Sequence, residues 1–257
     1  MNTYALITGA SSGIGLEFAR IFAQDGIHLI LVARSIEKLE SIKSELQKHH
    51  KIDIHVIGLD LSKTESIHTL AQYTQDKKLE VEYLINNAGF GDYGEFIKTD
   101  LERNTDMIEL NITALTSLSR IYAEKMVKNG SGKILNVAST AAFQPGPNMA
   151  VYFATKSFVL NFSLALSEEL KGSGVTITTL CPGPTESNFQ NQANAKGINI
   201  FKGKIPTSHE VATYGYKQML KGNKIAIHGI MNSIKAFSVK FLPYSIQLAL
   251  LKKMNSK

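Results

Sequence analysis

Short runs of Val, Ile and Leu alternate with longer stretches of helical periodicity over the first 180 residues. Runs that are apolar at consecutive positions are typical of parallel strands buried on both faces of a sheet. Strands that alternate with helices are joined by right-handed crossovers, which predicts an α/β fold: a doubly wound parallel sheet of about seven strands with helices on both faces. The predicted strands are Thr3–Ile7, Ile27–Ala33, Asp53–Gly58, Glu82–Ile85, Gly132–Ala138, Gly174–Leu180 and Lys224–His228.

Helical periodicity fills the segments between these strands. Ser35 and Ser62 are good N-cap residues, and each precedes such a segment. After Leu180 the pattern breaks at prolines, and the polar stretch Glu186–Gly203 predicts a long loop or lid within residues 184–205. The predicted helices are Ile14–Gln24, Ile36–His49, Lys63–Gln75, Leu101–Val127, Val151–Leu170 and Ser208–Leu220.

A chain of 257 residues can bury one large core, and no linker divides it. We therefore expect a single domain over residues 1–229 and a basic, helical extension over residues 230–257 that packs on it. Five lysines and no Asp or Glu follow position 232, so the rest of the chain is close to neutral despite a net charge of +6. This distribution argues against nucleic-acid binding by the main domain.

The cysteine and histidine content narrows the expected environment. Cys181 is the single cysteine, so no intrachain disulfide forms, as is usual in a reducing cytosol. The N-terminal segment enters a strand pattern at once and leaves no room for a secretory signal. None of the seven histidines forms a metal-ligand pattern. We expect a cytoplasmic protein without a metal.

The first predicted strand leads into TGASSGIG, residues 8–15, and then into a helix. Glycines allow a tight turn and close backbone approach, while the helix N-terminus presents free N–H groups and its positive dipole end to a pyrophosphate. The strand–turn–helix context predicts a dinucleotide phosphate loop. The alternative is a glycine-rich turn that binds no ligand.

The end of the second strand bears on the choice of cofactor. In dinucleotide sites an acidic residue about 20 positions after the glycines holds the ribose 2′-hydroxyl. Here Arg34 stands 19 residues after Gly15, and no carboxylate precedes it in LVARS. A guanidinium can bind a 2′-phosphate through two hydrogen bonds. This predicts NADP(H), with Ser12 and Ser35 as further contacts, unless Arg34 is only a solvated surface charge.

Several motifs together resemble the short-chain dehydrogenase/reductase family. They are the glycine spacing of residues 9–15, NNAG at residues 86–89, Asn111, Ser139, Tyr152-x-x-x-Lys156 and Pro182-Gly183, in this order. The resemblance covers most of the chain. It implies a Rossmann-like fold, an NADP-dependent enzyme that interconverts C=O and CH–OH groups, and a homodimer or homotetramer that pairs through the helices of Asn111 and Tyr152.

The resemblance also implies the catalytic roles. Tyr152 is the general acid/base, Lys156 lowers the tyrosine pKa and binds the nicotinamide ribose, and Ser139 donates to the substrate oxygen. Asn111 holds a water that connects Lys156 to solvent. The simpler interpretations are amphipathic packing for the Tyr152–Lys156 pair, a strand-end cap for Ser139 and a helix kink for Asn111.

The magnitude of the required pKa shift is within reach of one lysine. Moving a phenol pKa from about 10 to about 7 takes roughly 4 kcal/mol. One positive charge about 4 Å away, at an effective dielectric constant of about 20, supplies that amount. Burial of Tyr152 would act in the opposite direction.

Cofactor contacts are carried over by the same resemblance. Asp60 would meet the adenine amine, Leu61 would contribute backbone contacts, and Asn87, with an added role in joining the central strands, would line the ribose. The segment PGPTESNF departs from the family pattern, with Thr185 in place of a valine and Ser187 in place of a threonine. The full predicted set is Gly9, Ser11, Ser12, Gly13, Ile14, Gly15, Arg34, Ser35, Asp60, Leu61, Asn87, Ala88, Gly89, Tyr152, Lys156, Pro182, Gly183, Thr185 and Ser187.

The expected substrate is a lipophilic ketone, aldehyde or alcohol. No Arg or Lys occurs in the loops Phe90–Glu95 and Thr140–Met149 to hold an anion. A 3-oxoacyl or hydroxysteroid-type enzyme with a defined lipid substrate is the alternative, and the apolar loop residues could simply pack the lid. A non-catalytic NADP-binding regulator would be expected to lack some of the catalytic residues. The apolar candidates are Phe90, Tyr93, Phe143, Pro145, Met149 and Phe189.

The extension over residues 233–257 has three interpretations on sequence grounds. Its apolar residues and lysines could pack over the substrate mouth, form a dimer surface or lie on an anionic membrane.

Overall fold

The computed structural model describes residues 3–187, 189–195 and 205–254. Seven parallel strands form one sheet in the order β3–β2–β1–β4–β5–β6–β7, which confirms the predicted doubly wound topology. Part of the predicted lid, at position 188 and over residues 196–204, and the tail end at residues 255–257 lie outside the described residues. The strands are β1 Thr3–Thr8, β2 His28–Ala33, β3 Ile54–Gly58, β4 Glu80–Asn86, β5 Gly132–Val137, β6 Val175–Cys181 and β7 Ile225–Ile227.

The helices follow the predicted pattern with two differences. The predicted helix Leu101–Val127 is divided by a π-helical turn at Glu109–Ala114, and the lid contains the short helix α7. The tail is helical on both sides of Pro243. The helices are α1 Gly13–Gln24, α2 Ile36–Gln47, α3 Thr64–Asp76, α4 Leu101–Ile108, α5 Leu115–Asn129, α6 Ala150–Glu169, α7 Phe189–Gln192, α8 Ser208–Leu220, α9 Ile230–Ser238 and α10 Tyr244–Met254, with 3-10 turns at Phe96–Lys98, Thr140–Phe143 and Val239–Phe241.

The central strands carry apolar residues on both faces because both faces of the sheet are covered. Neighbouring residues Leu6 and Ile7 of β1 are fully buried in two different clusters, one on each face. Phe18 and Phe22 of α1 fill the first cluster, and Tyr122 of α5 fills the second. Burying each such side chain contributes about 1.5–3 kcal/mol relative to exposure.

Helix α6 is the one helix in the described part of the chain that is long and apolar enough to span a bilayer. It packs beside β6 and buries Tyr152 and Lys156, so its length and composition are those of a core helix here.

A buried polar network joins the two central strands to the helices beside them. Asn86 on β4 donates to Asn136 Oδ1 on β5 at 2.9 Å and to Ser119 Oγ on α5 at 3.0 Å. Asn136 in turn donates to Ser163 Oγ on α6 at 2.9 Å. Buried polar groups are costly unless they are hydrogen-bonded, so this network fixes the relative position of α5 and α6.

The strand order reverses between β1 and β4. In open parallel sheets, ligands bind at such a switch point, outside the carboxyl ends of the strands. The loops after β1, β2, β3, β4, β5 and β6 all open at this edge.

Candidate active site

A cleft of about 740 Å³ opens at the carboxyl ends of the strands. Of the sequence-predicted residues, Gly15 and Asn111 do not line it; both are buried behind its wall. The cleft brings together the others: Gly9, Ser11, Ser12, Gly13, Ile14, Arg34, Ser35, Asp60, Leu61, Asn87, Ala88, Gly89, Ser139, Tyr152, Lys156, Pro182, Gly183, Thr185 and Ser187.

The phosphate loop depends on its glycines for conformation and for close packing. Gly9 and Gly13 have φ values of +66° and +57°, in the left-handed region that favours glycine. A Cβ on Gly15 would lie 2.4 Å from Gly9 O, so α1 approaches the loop as closely as a backbone allows. Ser12 occupies the N-cap of α1 without a side-chain capping bond, and no acidic residue lies in the first turn. The helix N-terminus can therefore receive an anion.

Thr8 is a residue of the site that sequence reasoning missed. Its hydroxyl accepts hydrogen bonds from the backbone N–H groups of Asn87 and Ala88, each at 3.0 Å. The Asn87 amide donates back to Thr8 O at 3.0 Å. Asn87 thus joins β1 to the loop after β4, in agreement with its predicted role in joining the central strands. The signal in the sequence was the threonine that directly precedes the first glycine.

The adenine end of the cleft is basic. Arg34 is exposed at the end of β2, no described residue forms an ion pair with it, and Lys38 lines the same wall. Ser35 caps α2, because its hydroxyl accepts from Lys38 N at 3.4 Å and donates to Glu37 at 2.9 Å. Its predicted contact with a 2′-phosphate stays a prediction. Lys38, one helical turn after Arg34, was not identified from the sequence.

Asp60 and Leu61 line the cleft after β3. Asp60 Oδ1 accepts hydrogen bonds from the backbone N–H and the hydroxyl of Ser62 at 3.1 and 2.9 Å, so this carboxylate also fixes its own turn. Leu61 is buried in the cluster beneath the sheet. Their predicted contacts with adenine remain predictions.

The catalytic candidates Ser139, Tyr152 and Lys156 converge at the end of β5. Ser139 Oγ donates to Pro182 O at 3.4 Å and accepts from Ala141 N at 3.1 Å, and the Tyr152 hydroxyl lies next to the Ser139 hydroxyl. Lys156 Nζ donates to Val137 O at 2.9 Å and lies 5.9 Å from the centre of the Tyr152 ring. The i, i+4 spacing on α6 therefore directs both side chains to one point of the cleft.

The acid–base properties differ from the expectation for an isolated Tyr–Lys pair. Burial raises the pKa of Tyr152 to about 12, although the hydrogen bond from Ser139 opposes this shift. Burial lowers the pKa of Lys156 to about 8. Burial, which disfavours the charged form, is the largest cause of both shifts, and the predicted lowering of the tyrosine pKa by the ammonium stays a prediction. Tyr152 is a neutral phenol, hence a proton donor, at neutral pH.

Asn111 lies in the π-helical turn, behind the catalytic wall. Its Oδ1 accepts from Phe90 N at 3.1 Å, and its Nδ2 donates to Phe90 O at 3.0 Å and to Thr155 Oγ1 at 3.0 Å. A Cβ on Gly89 would lie 2.8 Å from Asn111 Oδ1 and 3.4 Å from Lys156 Nζ. Asn111 therefore clamps the loop after β4 to α6, and its predicted water relay stays a prediction.

The residues after β6 close one side of the cleft. Thr185 is buried, and its hydroxyl donates to Gly183 O at 2.9 Å. Ser187 Oγ accepts from Phe189 N at 3.3 Å at the start of α7. A Cβ on Gly183 would lie 2.6 Å from Asn232 Nδ2, so α9 of the extension abuts this turn.

The substrate end of the cleft is apolar. Tyr152 belongs to a buried cluster with Met107, Ala141, Met149 and Phe153, and the predicted Phe90, Tyr93 and Phe189 pack against it. The Phe189 ring centre lies 5.3 Å from that of Tyr152. Three predicted lining residues, Tyr93, Phe143 and Pro145, do not line the cleft, and Phe143 instead lies beside Phe237 of α9 with ring centres 6.2 Å apart.

Arg103 of α4 connects the lid to the body of the domain. Its Nε donates to the buried Asp92 at 3.0 Å, its guanidinium lies 5.0 Å from the centre of the Phe90 ring, and it also donates to the carbonyl of Gln192 in α7. Asn194 adds a bond to Asp92 at 2.9 Å. Sequence reasoning missed this arginine, because the residues that it joins are distant in the chain.

Known proteins share this arrangement. The family model for short chain dehydrogenases matches residues 3–197. A sulfoacetaldehyde reductase of Chromohalobacter salexigens is 35% identical over 74% of this chain and 75% of its own length. A human very-long-chain 3-oxoacyl-CoA reductase is 29% identical over 99% of this chain and 80% of its own length.

Two solved structures share the fold over nearly their whole length. A short-chain dehydrogenase from Sphingobium yanoikuyae in complex with NADPH has a TM-score of 0.84 and 29% identity, over 94% of this chain and 93% of that chain. A bulky-bulky ketone specific alcohol dehydrogenase from Comamonas testosteroni has a TM-score of 0.80 and 28% identity, over 94% and 92% of the two chains. With the family model spanning the sheet from β1 to β6, the chain belongs to the short-chain dehydrogenase/reductase family of oxidoreductases.

Proposed function

We propose that this protein is an NADPH-dependent reductase that converts a lipophilic ketone or aldehyde to its alcohol. The observation that carries the proposal is the placement of the neighbouring Ser139 and Tyr152 hydroxyls at the wall of an apolar cleft. Two hydroxyls can hold one carbonyl oxygen, while apolar walls accept the body of the molecule.

The chain's own residues account for the proton side of the reaction. Ser139 and Tyr152 donate hydrogen bonds to the carbonyl oxygen and stabilise the negative charge that develops there. The nicotinamide, when bound, supplies the hydride. Tyr152, neutral because its pKa is about 12, transfers its phenolic proton to the new alkoxide. The ammonium of Lys156 stabilises the phenolate that remains.

The cofactor is NADP(H), because the adenine end offers Arg34 and Lys38 to a 2′-phosphate. Arg34→Ala should raise the KM for NADPH about 10- to 100-fold and change the KM for NADH little, since one charge-assisted hydrogen bond contributes about 1.5–3 kcal/mol. Steady-state kinetics with both cofactors measure the effect. Arg120→Ala, which removes an exposed arginine paired with Glu124 on α5, is the control. Equal losses with NADPH and NADH would refute the 2′-phosphate contact.

A series of straight-chain aldehydes and methyl ketones tests the substrate class. Each methylene that enters an apolar pocket contributes about 0.8 kcal/mol, so kcat/KM with NADPH should rise roughly fourfold per carbon until the cleft is filled. A short aldehyde that carries a sulfonate should react poorly, because Arg103 at this cleft is already paired with Asp92. A preference for the anionic or the shortest substrate would contradict a lipophilic one.

Two alternatives are separated by the same series. A 3-oxoacyl or hydroxysteroid-type enzyme would show high activity with one defined lipid and little with simple ketones. The 3-oxoacyl-CoA reductase among the relatives supports that version. A non-catalytic NADP-binding regulator would bind NADPH and reduce none of the carbonyls, although the placement of Ser139, Tyr152 and Lys156 at one cleft counts against it.

We further propose a homodimer or homotetramer in the cytoplasm. Phe158 on α6 is 40% exposed and stacks on Phe162, which leaves an apolar surface on the helix that carries Tyr152. Light scattering of the purified protein tests the assembly, and a monomer would contradict it.

A further inference from the structure

Exposed apolar side chains are concentrated around one end of the molecule. In the described part of the chain, thirteen of eighteen large exposed apolar residues lie either in Phe96–Leu101, which leads into α4, or in the C-terminal segment Ile230–Leu250. The most exposed are Ile97 and Phe241, each at 87%, and Ile230 at 82%. Single exposed apolar residues are ordinary, but a concentration of this kind marks an interaction surface.

Helix α9 carries its apolar stripe on the outside. Ala236 and Val239 face the protein, whereas Ile230, Ile234 and Phe241 are exposed at helical spacing. Helix α10 is held to the connecting turn, because Gln247 donates to the carbonyl groups of Val239 and Leu242 at 2.9 and 2.8 Å. We call α9, α10 and the turn between them the C-terminal hairpin. Phe237 lies beside Phe143, whereas Ile230, Phe241 and Tyr244 are at least 75% exposed.

The C-terminal hairpin and the Phe96–Leu101 segment are neighbours. Lys98 Nζ lies 2.7 Å from the Glu95 carboxylate and is the main cause of its lowered pKa, to which the charge of Lys252 on α10 adds a smaller contribution. Helix α9 also packs against the Thr140–Phe143 turn and abuts Gly183. The two segments therefore form one surface at the edge of the sheet where the cleft opens.

The charge of the C-terminal hairpin is basic, whereas Glu95 and Asp100 offset Lys98 on the neighbouring segment. Glu210 is the last acidic residue of the chain, and eight lysines follow it. Lys235 and Lys252 on the hairpin and Lys98 on the neighbouring turn are exposed. Protein–protein interfaces are depleted in lysine at their cores. Exposed Leu, Ile and Phe flanked by lysine are instead typical of helices that lie in the interface of an anionic bilayer.

From these observations we propose that the C-terminal hairpin and the Phe96–Leu101 segment dock on an anionic lipid bilayer. Phe241, Tyr244 and Ile97 enter the headgroup boundary, and the lysines contact lipid phosphates. Docking in this way places the mouth of the cleft at the bilayer surface. The inference rests on exposure and charge and stands independently of the carbonyl substrate, although a lipophilic substrate would enter such a mouth from the membrane.

Vesicle sedimentation of the full-length protein tests the proposal. We expect binding to phosphatidylglycerol/phosphatidylcholine vesicles that weakens with added NaCl and falls at least tenfold on pure phosphatidylcholine. Phe241→Ser/Tyr244→Ser should weaken binding to the anionic vesicles at least tenfold, since both side chains leave the bilayer. Val127→Ser, which removes an exposed apolar residue at the far end of α5, should bind as the wild type does.

Circular dichroism and NADPH binding establish that each variant is folded. The proposal is overturned if the wild-type protein does not bind anionic vesicles, or if the double variant binds them as strongly as the wild type does. One further outcome overturns the proposal. If the wild type is a dimer that binds no vesicle, and Phe241→Ser/Tyr244→Ser is a monomer, the surface is a contact between two copies. None of these measurements uses the carbonyl substrate, so their failure would leave the proposed reductase activity untouched.

Discussion

Tyr152→Phe should lower kcat/KM for carbonyl reduction by about 100- to 10,000-fold, the usual contribution of a positioned general acid. The change removes one oxygen from a fully packed site and leaves the ring against Phe153 and Phe189. NADPH affinity should stay within about twofold, because the phenol acts on the substrate oxygen. Steady-state kinetics and NADPH fluorescence titration measure the two effects.

A second buried tyrosine provides the control. Tyr122 on α5 is as deeply buried, its pKa is also raised to about 12, and its hydroxyl is hydrogen-bonded to Thr74. It lies outside the cleft. Tyr122→Phe should therefore leave kcat/KM unchanged. A Tyr152→Phe enzyme that keeps wild-type turnover would show that another group delivers the proton.

Lys156→Met should lower kcat/KM for reduction at least about 100-fold, because the phenolate that forms on Tyr152 loses a buried cation close to it. At an effective dielectric constant of about 20, such a charge at about 6 Å contributes roughly 3 kcal/mol.

The pH profile of kcat/KM of the wild-type enzyme should show the titration of Lys156. The ammonium of Lys156, with a pKa of about 8, is lost as pH rises, so the profile should be level below pH 8 and fall above it.

The matched control is Lys125→Met. Lys125 Nζ lies 5.5 Å from the centre of the Tyr122 ring, a geometry close to that of Lys156 and Tyr152, but on the outer side of α5. This variant should keep both the activity and the falling limb near pH 8. If the residual activity of Lys156→Met still decreased above pH 8, the decrease would have to come from the titration of a different group.

Much of the fold could be predicted from local patterns in the sequence. Burial on both faces favours apolar residues at consecutive positions of a parallel strand, and this signal is continuous over residues 4–7 of β1 and residues 29–33 of β2. The cofactor cleft was predictable because glycine spacing and a basic strand end are local features. The π-helical turn at Glu109–Ala114 was not, since the apolar period on either side reads as one helix.

Long-range features of the site left no local signal. Arg103 meets Gln192 and Asp92 across separate segments, and Gly183 meets Asn232 of the extension. The pKa of Tyr152 also escaped prediction. The i, i+4 spacing determines that Tyr152 and Lys156 lie on one face of α6. The depth of burial determines whether the neutral or the charged form of the phenol is the more stable, and only the packed structure shows that depth.

The π-helical turn makes the position of Asn111 at the cleft wall depend on the number of residues in this helical segment. A π turn holds one residue more than an α turn, so Glu109–Ala114 is equivalent to a one-residue insertion in a regular helix. Deleting one residue would restore regular hydrogen bonds and rotate Asn111 by about 100° relative to α5. Asn111 would then release the backbone of Phe90 and the hydroxyl of Thr155. Selection for helix stability alone would favour that deletion; selection for the clamped cleft wall opposes it.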